Sequence, residues 1–322
     1  MRLSVVICSY NRAESLRRVL EAMETQVTPA ELAWEVLVVD NASTDHTRAV
    51  ADAFVARRPD RFRALHEPKK GKSNALNLAI AEARGELLAF TDDDVEIASG
   101  WVAAVVRAFD DHDCAGIGGR IVPSFSFGRP DWMRDLSVRW IRGPLVQFEL
   151  GDEPRRLEIS PYGANMAFRK AVFARYGGFR TDLGPGAGAP NAGARVGGGA
   201  EDVELGGRLL RAGEILMYIP SAVLSHPVEP ERLSKRYFEK WWYRHGRASM
   251  VEDDPPPDAV TYLGVPRYLL RVAGESAARW LLGLDRDKRL HARLELMEAL
   301  GQIAEIRSKR RSRGKSSLRR QA

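Results

Sequence analysis

Three adjacent carboxylates, Asp92, Asp93 and Asp94, stand in Thr91-Asp92-Asp93-Asp94-Val95, directly after an apolar run. Side by side they repel one another, and a divalent cation removes that repulsion; hard carboxylate oxygens suit Mg2+ or Mn2+. A cation there would hold a diphosphate and stabilise charge on a departing nucleotide. The competing reading is a helix cap with solvated neighbours. A second acid, Asp40, precedes Asn41-Ala42-Ser43-Thr44-Asp45. Its carboxylate can accept a ligand N–H, or it can close an Asx turn into the next helix. Ser9, Tyr10, Asn11 and Arg12 offer an aromatic ring and polar groups to a base. Gly71 and Lys72, in Lys69-Lys70-Gly71-Lys72, bring positive charge to a phosphate or form a solvated loop. Glu201 and Asp202 open a helical pattern after a glycine-rich stretch, as caps favoured by the helix dipole or as a general base. His226, in Ser225-His226-Pro227, is either a metal ligand or a structural histidine.

These residues sit at the ends of a regular alternation. Leu3–Cys8, Trp34–Val39, Phe62–His66 and Leu87–Thr91 read as strands. Glu14–Thr25, with Leu16, Val19, Leu20 and Met23 on one face, reads as a helix, as do Asp45–Ala56, Ser73–Arg84 and Gly100–Phe109. The alternation predicts an α/β fold, a mostly parallel sheet flanked by helices with its ligands at the carboxyl ends of the strands. Beyond Gly119 the pattern loosens. Phe168–Tyr176 and Asp202–Ala212 read as helices and Ile215–Ile219 as a short strand. Gly184–Gly199 holds seven glycines in sixteen residues and reads as a mobile lid. Tyr237–Met250 and Pro266–Ile306 read as helices, separated by Pro255-Pro256-Pro257.

The chain has 322 residues, 44% hydrophobic and 29% charged, enough to bury a sizeable core. No apolar run is long enough to cross a bilayer, and Leu3–Cys8 is too short for a signal peptide. Cys8 and Cys114 make no disulfide framework, which fits a reduced, cytoplasmic protein. The net charge of +6 is local, because residues 307–322 carry eight Lys/Arg and no acid. Taking those eight away leaves about −2 on residues 1–306, so the body is not a nucleic-acid surface by charge and no nucleic-acid partner is expected.

Seven segments together resemble the nucleotide-sugar half of family 2 glycosyltransferases of the non-processive type. They are residues 4–12, 38–45, 71–77, 91–95, Gly163–Arg169, 199–205 and 225–227, in matching order and spacing from residue 3 to about 230. The resemblance implies a GT-A fold and an inverting transfer of sugar from a nucleoside diphosphate. Carried over residue by residue, Asp40 would read the imide of uracil or thymine, Tyr10 would contact the base and Lys72 would lie near the nucleotide. Asp94 would hold the metal, with Asp92 towards the ribose or the metal; Asp93 can take one of those roles instead. His226 matches a late metal ligand, and Asp202, beside Glu201, matches the catalytic base. The Gln-x-x-Arg-Trp element of processive synthases is absent, which argues for one sugar, or a few, per acceptor.

The implied organisation is a nucleotide-sugar half over 1–120, an acceptor-binding and catalytic half over 121–230, a helical extension over 231–306 and a disordered basic tail over 307–322. The implied partners are a nucleotide-sugar donor and an acceptor hydroxyl on a glycan, a lipid-linked sugar or a small molecule. Tyr237, Phe238, Trp241, Trp242 and Tyr243, among Lys and Arg, either pack inside the protein or dock it at the inner face of the membrane. Leu290, Leu294, Met297 and Leu300 form a helical stripe for intramolecular or homodimer packing. Other classes fare worse. Ser9-Tyr10-Asn11-Arg12 is not the glycine- and arginine-rich loop of a sugar nucleotidyltransferase, and no Gly-x-Gly-x-x-Gly marks a dinucleotide oxidoreductase. A non-catalytic nucleotide-sugar-binding protein is the remaining alternative.

Overall fold

The computed structural model describes residues 1–186, 200–252, 255–256 and 258–320. Among these, residues 1–126, 145–186 and 200–228 form one compact unit; 127–144 and the described residues from 229 onward form a second.

The N-terminal unit opens with β1 (Leu3–Ser9), α1 (Ala13–Glu24), β2 (Trp34–Asp40), α2 (Thr47–Arg57), β3 (Phe62–His66), α3 (Lys72–Glu82) and β4 (Leu87–Thr91). Leu16, Val19, Leu20 and Met23 are the buried face of α1, at the 3.6-residue spacing that places them in one stripe. β1 and β2 are buried almost throughout, which is why they read as continuous apolar runs rather than as alternating ones. β5 (Glu96–Ile97), α4 (Trp101–Asp111) and β6 (Gly116–Ser124) follow, and β7 (Arg155–Arg156), β8 (Asn165–Arg169), α6 (Lys170–Tyr176), α7 (Ala200–Arg211) and β9 (Leu216–Pro227) complete the unit; α5 (Arg139–Arg142) belongs to the second.

The strands form a mixed sheet in the order β3-β2-β1-β4-β8-β6-β9-β5, with β7 paired to β9. The first four are parallel, so β1, β2, β3 and β4 end on one edge. β8 enters between β4 and β6 antiparallel to both, with Thr91 opposite Asn165. Reversal of β8 brings the residues that precede it, Tyr162 and Gly163, to the same edge as the aspartates that follow β4. β9 runs parallel to β6 with Pro123 opposite His226, so His226 also reaches that edge. Asn165 fixes the inserted strand: its Nδ2 donates to the carbonyls of Arg120 (3.0 Å) and Ala222 (2.9 Å), and its Oδ1 accepts from the Trp101 indole (2.9 Å). Gly119 is what lets Asn165 in, since a Cβ there would fall 2.3 Å from its Nδ2.

Two local expectations for this unit change. Phe168 and Arg169 belong to β8, and the helix starts at Lys170; the strand's buried apolar run is too short to be told from helix by periodicity. The strand expected over Ile215–Ile219 runs on to Pro227 because β6 supplies a pairing partner along its whole length. The glycine-rich lid expected over Gly184–Gly199 lies, from residue 187 on, outside the described residues.

In the C-terminal unit α8 (Lys235–Glu252) and α9 (Arg267–Leu282) pack on α10 (Arg286–Arg320), and β10 (Thr261–Tyr262) pairs with β11 (Val265–Pro266). Phe238 and Trp242 are buried, their rings 4.9 Å from Trp132 and 4.6 Å from Trp140. The Trp242 indole donates to the Trp140 carbonyl at 2.9 Å. Phe238 and Trp242 therefore pack internally, while Tyr237, Trp241 and Tyr243 are half-buried. Helices α8 and α10 approach closely: a Cβ on Gly246 would lie 2.0 Å from the Glu298 carbonyl oxygen, and one on Gly301 2.0 Å from that of Tyr243. The buried face of α10 carries Leu290, Leu294, Ala299, Ile303 and Ile306, whereas Leu300, placed in the expected stripe, is exposed. Residues 307–320, expected to be disordered, continue α10. Lys and Arg are good helix formers, and a packed helix already supplies the nucleus from which propagation is easy. Among the described residues no helix is long and apolar enough to cross a membrane.

Candidate active site

The site lies wholly in the N-terminal unit, along the edge where the parallel strands end. Ser9 and Asp40 are neighbours in register, as are Asp40 and His66. The turns after β1 and β2 are tied together by Asn11, which sits in the left-handed region (φ +52) and accepts the Thr44 N–H at 2.7 Å, while its own N–H donates to Ser43 Oγ at 3.0 Å. Asparagine tolerates that backbone better than most residues.

Asp40 is buried. Its Oδ1 accepts the Ser43 N–H at 3.1 Å, the Asx turn foreseen as one alternative, and its Oδ2 lies 3.0 Å from His66 Nδ1. Tyr10 is exposed, and its partner is Lys70, whose ammonium donates to the phenol oxygen at 2.9 Å. Gly71 has φ +127 and donates its N–H to Asn41 Oδ1 at 2.8 Å, a backbone state that opens α3 and turns Lys72 inward.

The three aspartates diverge. Asp92 accepts from Lys72 Nζ at 2.5 Å. Asp93 is buried against Ser9, whose Oγ donates to it at 2.5 Å. Asp94 pairs with Arg12 and lies 3.9 Å from His226 Nε2. Burial pushes the Asp93 carboxyl up to about 6, against the lowering by Ser9 and Arg12. For Asp92 burial acts the same way, but Lys72 outweighs it and holds the group below the usual carboxylate range. Lys72 mirrors this: burial disfavours its charge, while Asp92, Glu201 and Asp202 more than compensate and hold it above the usual lysine range.

Glu201 and Asp202, in the first turn of α7, come to the same place. Glu201 Oε1 is 3.9 Å from Lys72 Nζ, and its buried Oε2 has no hydrogen-bond partner among the described residues. Asp202 accepts two backbone N–H groups, from Gly163 at 2.6 Å and Val203 at 2.9 Å. Burial and the adjacent Glu201 nonetheless raise it to about 7. A carboxyl with that value exchanges a proton near neutral pH.

His226 is buried and its Nδ1 lies 3.1 Å from the Pro227 carbonyl. A proton on Nδ1 donated to that carbonyl leaves Nε2 as a lone pair facing Asp94, the outer contact that orients a ligating imidazole. Among the described residues no group of three or more His, Cys, Asp or Glu is drawn together as a ready metal cage. One carboxylate and one imidazole still fit Mg2+ or Mn2+, which keep several waters and take phosphate oxygens for their other positions.

The sequence-predicted residues thus fall into three connected groups: Asp40 with the turns after β1 and β2, Asp94 with His226 and Arg12, and Lys72 with Asp92, Glu201 and Asp202. Three contributors were not foreseen in these roles. His66 carries no sequence signal beyond ending β3. Gly163, which opens one of the resembling segments without a role of its own there, and Ser160, whose Oγ donates to the Asp202 carbonyl at 2.7 Å, act from the loop before β8, and their roles emerge only once β8 is known to reverse.

Residues 4–177 match the profile described as glycosyl transferase family 2, more than half of the chain. An uncharacterised glycosyltransferase of Nostoc sp., alr2836, is 31% identical over 117 residues, 36% of this chain and 35% of that protein. The glucosyl-dolichyl phosphate glucuronosyltransferase of Haloferax volcanii is 27% identical over 188 residues, 57% of this chain and 58% of that one. The chain thus spans about a third to three-fifths of the length of these relatives. Among solved structures, the mannosyltransferase PcManGT from Pyrobaculum calidifontis, in complex with GDP-Man and Mn2+, superposes with a TM-score of 0.61 at 19% identity, covering 95% of this chain and 87% of that one, and shows that the fold is GT-A. With its parallel strand ends, its aspartate triplet and the match over residues 4–177, the chain belongs to glycosyl transferase family 2.

Proposed function

We propose that the protein is a metal-dependent inverting glycosyltransferase that moves one sugar from a nucleoside-diphosphate sugar, UDP or dTDP favoured, to an acceptor hydroxyl. The observation that carries this reading is the convergence on Lys72 of Asp92, from the strand-end triplet, and Glu201, from α7, with Asp202 beside it. One cation joins the donor-side acids to a carboxyl poised near neutrality, although 109 residues separate Asp92 from Glu201 in the chain.

Asp40 would accept the imide N–H of uracil or thymine, with His66 and the Ser43 N–H fixing its orientation. Tyr10, exposed and braced by Lys70, would lie against the base. Asp94 and His226 would hold Mn2+ or Mg2+, with Asp92 close by; when bound, the ion supplies charge neutralisation for the diphosphate. Lys72 would turn from Asp92 towards phosphate oxygens. Asp202, held by Gly163 and Val203, would take the proton of the acceptor hydroxyl as that oxygen attacks the anomeric carbon from the face opposite the diphosphate. Glu201 keeps Asp202 basic enough for the task. Solved neighbours crystallised with Mn2+ and GDP-Man, or with UDP-GlcNAc, support a nucleotide-sugar donor without fixing its base. The surroundings of the reaction would be the cytoplasm, as the sequence suggests.

The decisive experiment measures nucleoside diphosphate release from UDP-, dTDP- and GDP-sugars with Mn2+ or Mg2+, for the native chain and Asp202→Asn. Metal-dependent release from a UDP or dTDP donor, lost in Asp202→Asn, is expected. Tight binding with no release or transfer from any donor would leave a nucleotide-sugar-binding protein in its place.

A further inference from the structure

The C-terminal unit carries a feature that the transfer reading does not use. β10 and β11 are joined by Leu263-Gly264, with Tyr262 opposite Val265, and both turn residues are left-handed, at φ +48 and +76. A two-residue hairpin turn of this hand strongly favours Asn-Gly or Gly-Gly, because a branched side chain strains the first position. Leucine occupies it, and burial gives nothing back, since Leu263 is 96% exposed. Val260, Tyr262 and Tyr268 around it are also exposed. The base of the hairpin is firm: Val265 and Leu269 are buried with Met250, Ile303 and Ile306. A strained, apolar tip on a rigid base serves no core of its own.

The charge around the tip is basic. Arg267 and Arg271 are exposed on the first turns of α9, and the Arg310 guanidinium lies where a Cβ on Gly264 would project. From Arg307 the chain of α10 carries eight Lys/Arg and no acid. Two acids stand by it, Glu275, which pairs with Arg271 at 3.3 Å, and Asp258, exposed in the segment before β10; Glu252, Asp253 and Asp254 come earlier in the chain. Apolar side chains projecting from a cationic ring match a surface that is apolar beneath and anionic at its face. A nucleic acid would meet the arginines and leave Leu263 and Tyr262 without a role. A second copy would bring two basic ends together.

We propose that the β10–β11 tip is a docking site for an anionic lipid bilayer, with Val260, Tyr262 and Leu263 entering the interface and Arg267, Arg271 and Arg310 meeting the headgroups. The proposal is independent of the transfer chemistry, and it places the lipid contact away from the internally packed aromatics of α8. The test is co-sedimentation of the full chain with phosphatidylcholine vesicles, with and without phosphatidylglycerol. Binding to the anionic vesicles, weakened by salt, is expected. Leu263→Asn suits the turn better than leucine, so its thermal stability should hold or rise while vesicle binding falls about tenfold. Arg267→Glu with Arg271→Glu should remove the preference for anionic lipid. The proposal is overturned if Leu263→Asn binds like the native chain, if neutral vesicles bind equally, or if the chain ignores vesicles and shifts a single-stranded RNA probe instead.

Discussion

Lys72 Nζ lies 2.5 Å from Asp92 Oδ1, joining the first turn of α3 to the end of β4. Each group would be disfavoured by its burial alone, and each holds the other charged. Lys72→Met should leave Asp92 without its cation. Because about a quarter of each side chain is still exposed, the expected loss is about 1–3 kcal/mol in urea denaturation. Nucleoside diphosphate affinity should fall as well, since the same ammonium would turn to phosphate. A variant that binds UDP as tightly as the native chain would remove Lys72 from the donor site.

As the proposed base, Asp202 should make activity pH-dependent with a definite sign. A general base works deprotonated, so kcat/KM should rise with pH and level off above about 7, the value to which burial and Glu201 raise the group. Stability should move the other way. An acid whose folded pKa lies above its unfolded one favours the folded state at low pH, and this contribution disappears as pH rises from about 4 to about 7. Asp202→Asn should lower turnover by about 10²–10⁴-fold and abolish the pH step. A rate profile flat between pH 5 and 8 in the native enzyme would speak against the assignment.

Asp94→Ala and His226→Ala address the metal. Calorimetry of UDP or dTDP with Mn2+ should show affinity reduced about 10–100-fold in both, with metal-free binding little changed. Arg12 now pairs with Asp94, so Arg12→Gln should tighten Mn2+ itself. Equal nucleotide affinity with and without Mn2+ in the native chain would end the metal-dependent reading.

Trp242→Ala separates packing from lipid contact in α8. The indole is buried and bonded to the Trp140 carbonyl, so its removal should cost about 3–5 kcal/mol in the unfolding of the C-terminal unit. Vesicle binding measured on protein that remains folded should be unchanged. A stable Trp242→Ala chain that loses lipid binding would return the membrane contact to α8.

The α/β alternation, the buried face of α1 and the family are legible in the chain's letters, because apolar periodicity and strand-end motifs are local properties. The letters also bring Asp40, the triplet and the Glu201-Asp202 pair forward as chemical residues. What each of them meets is set by packing across the sheet. Asp93 turns under Ser9 while Asp92 faces Lys72 and Asp94 faces His226, a choice three identical side chains cannot encode locally. Reversal of β8, which delivers Gly163 to Asp202, depends on pairing between strands far apart in sequence. The α8 aromatics are ambiguous for the same reason: a tryptophan among arginines suits a bilayer or a neighbouring helix, and the positions of Trp132 and Trp140 give Phe238 and Trp242 internal partners. Non-local pairing follows from the summed burial of the whole core, which no window of sequence contains.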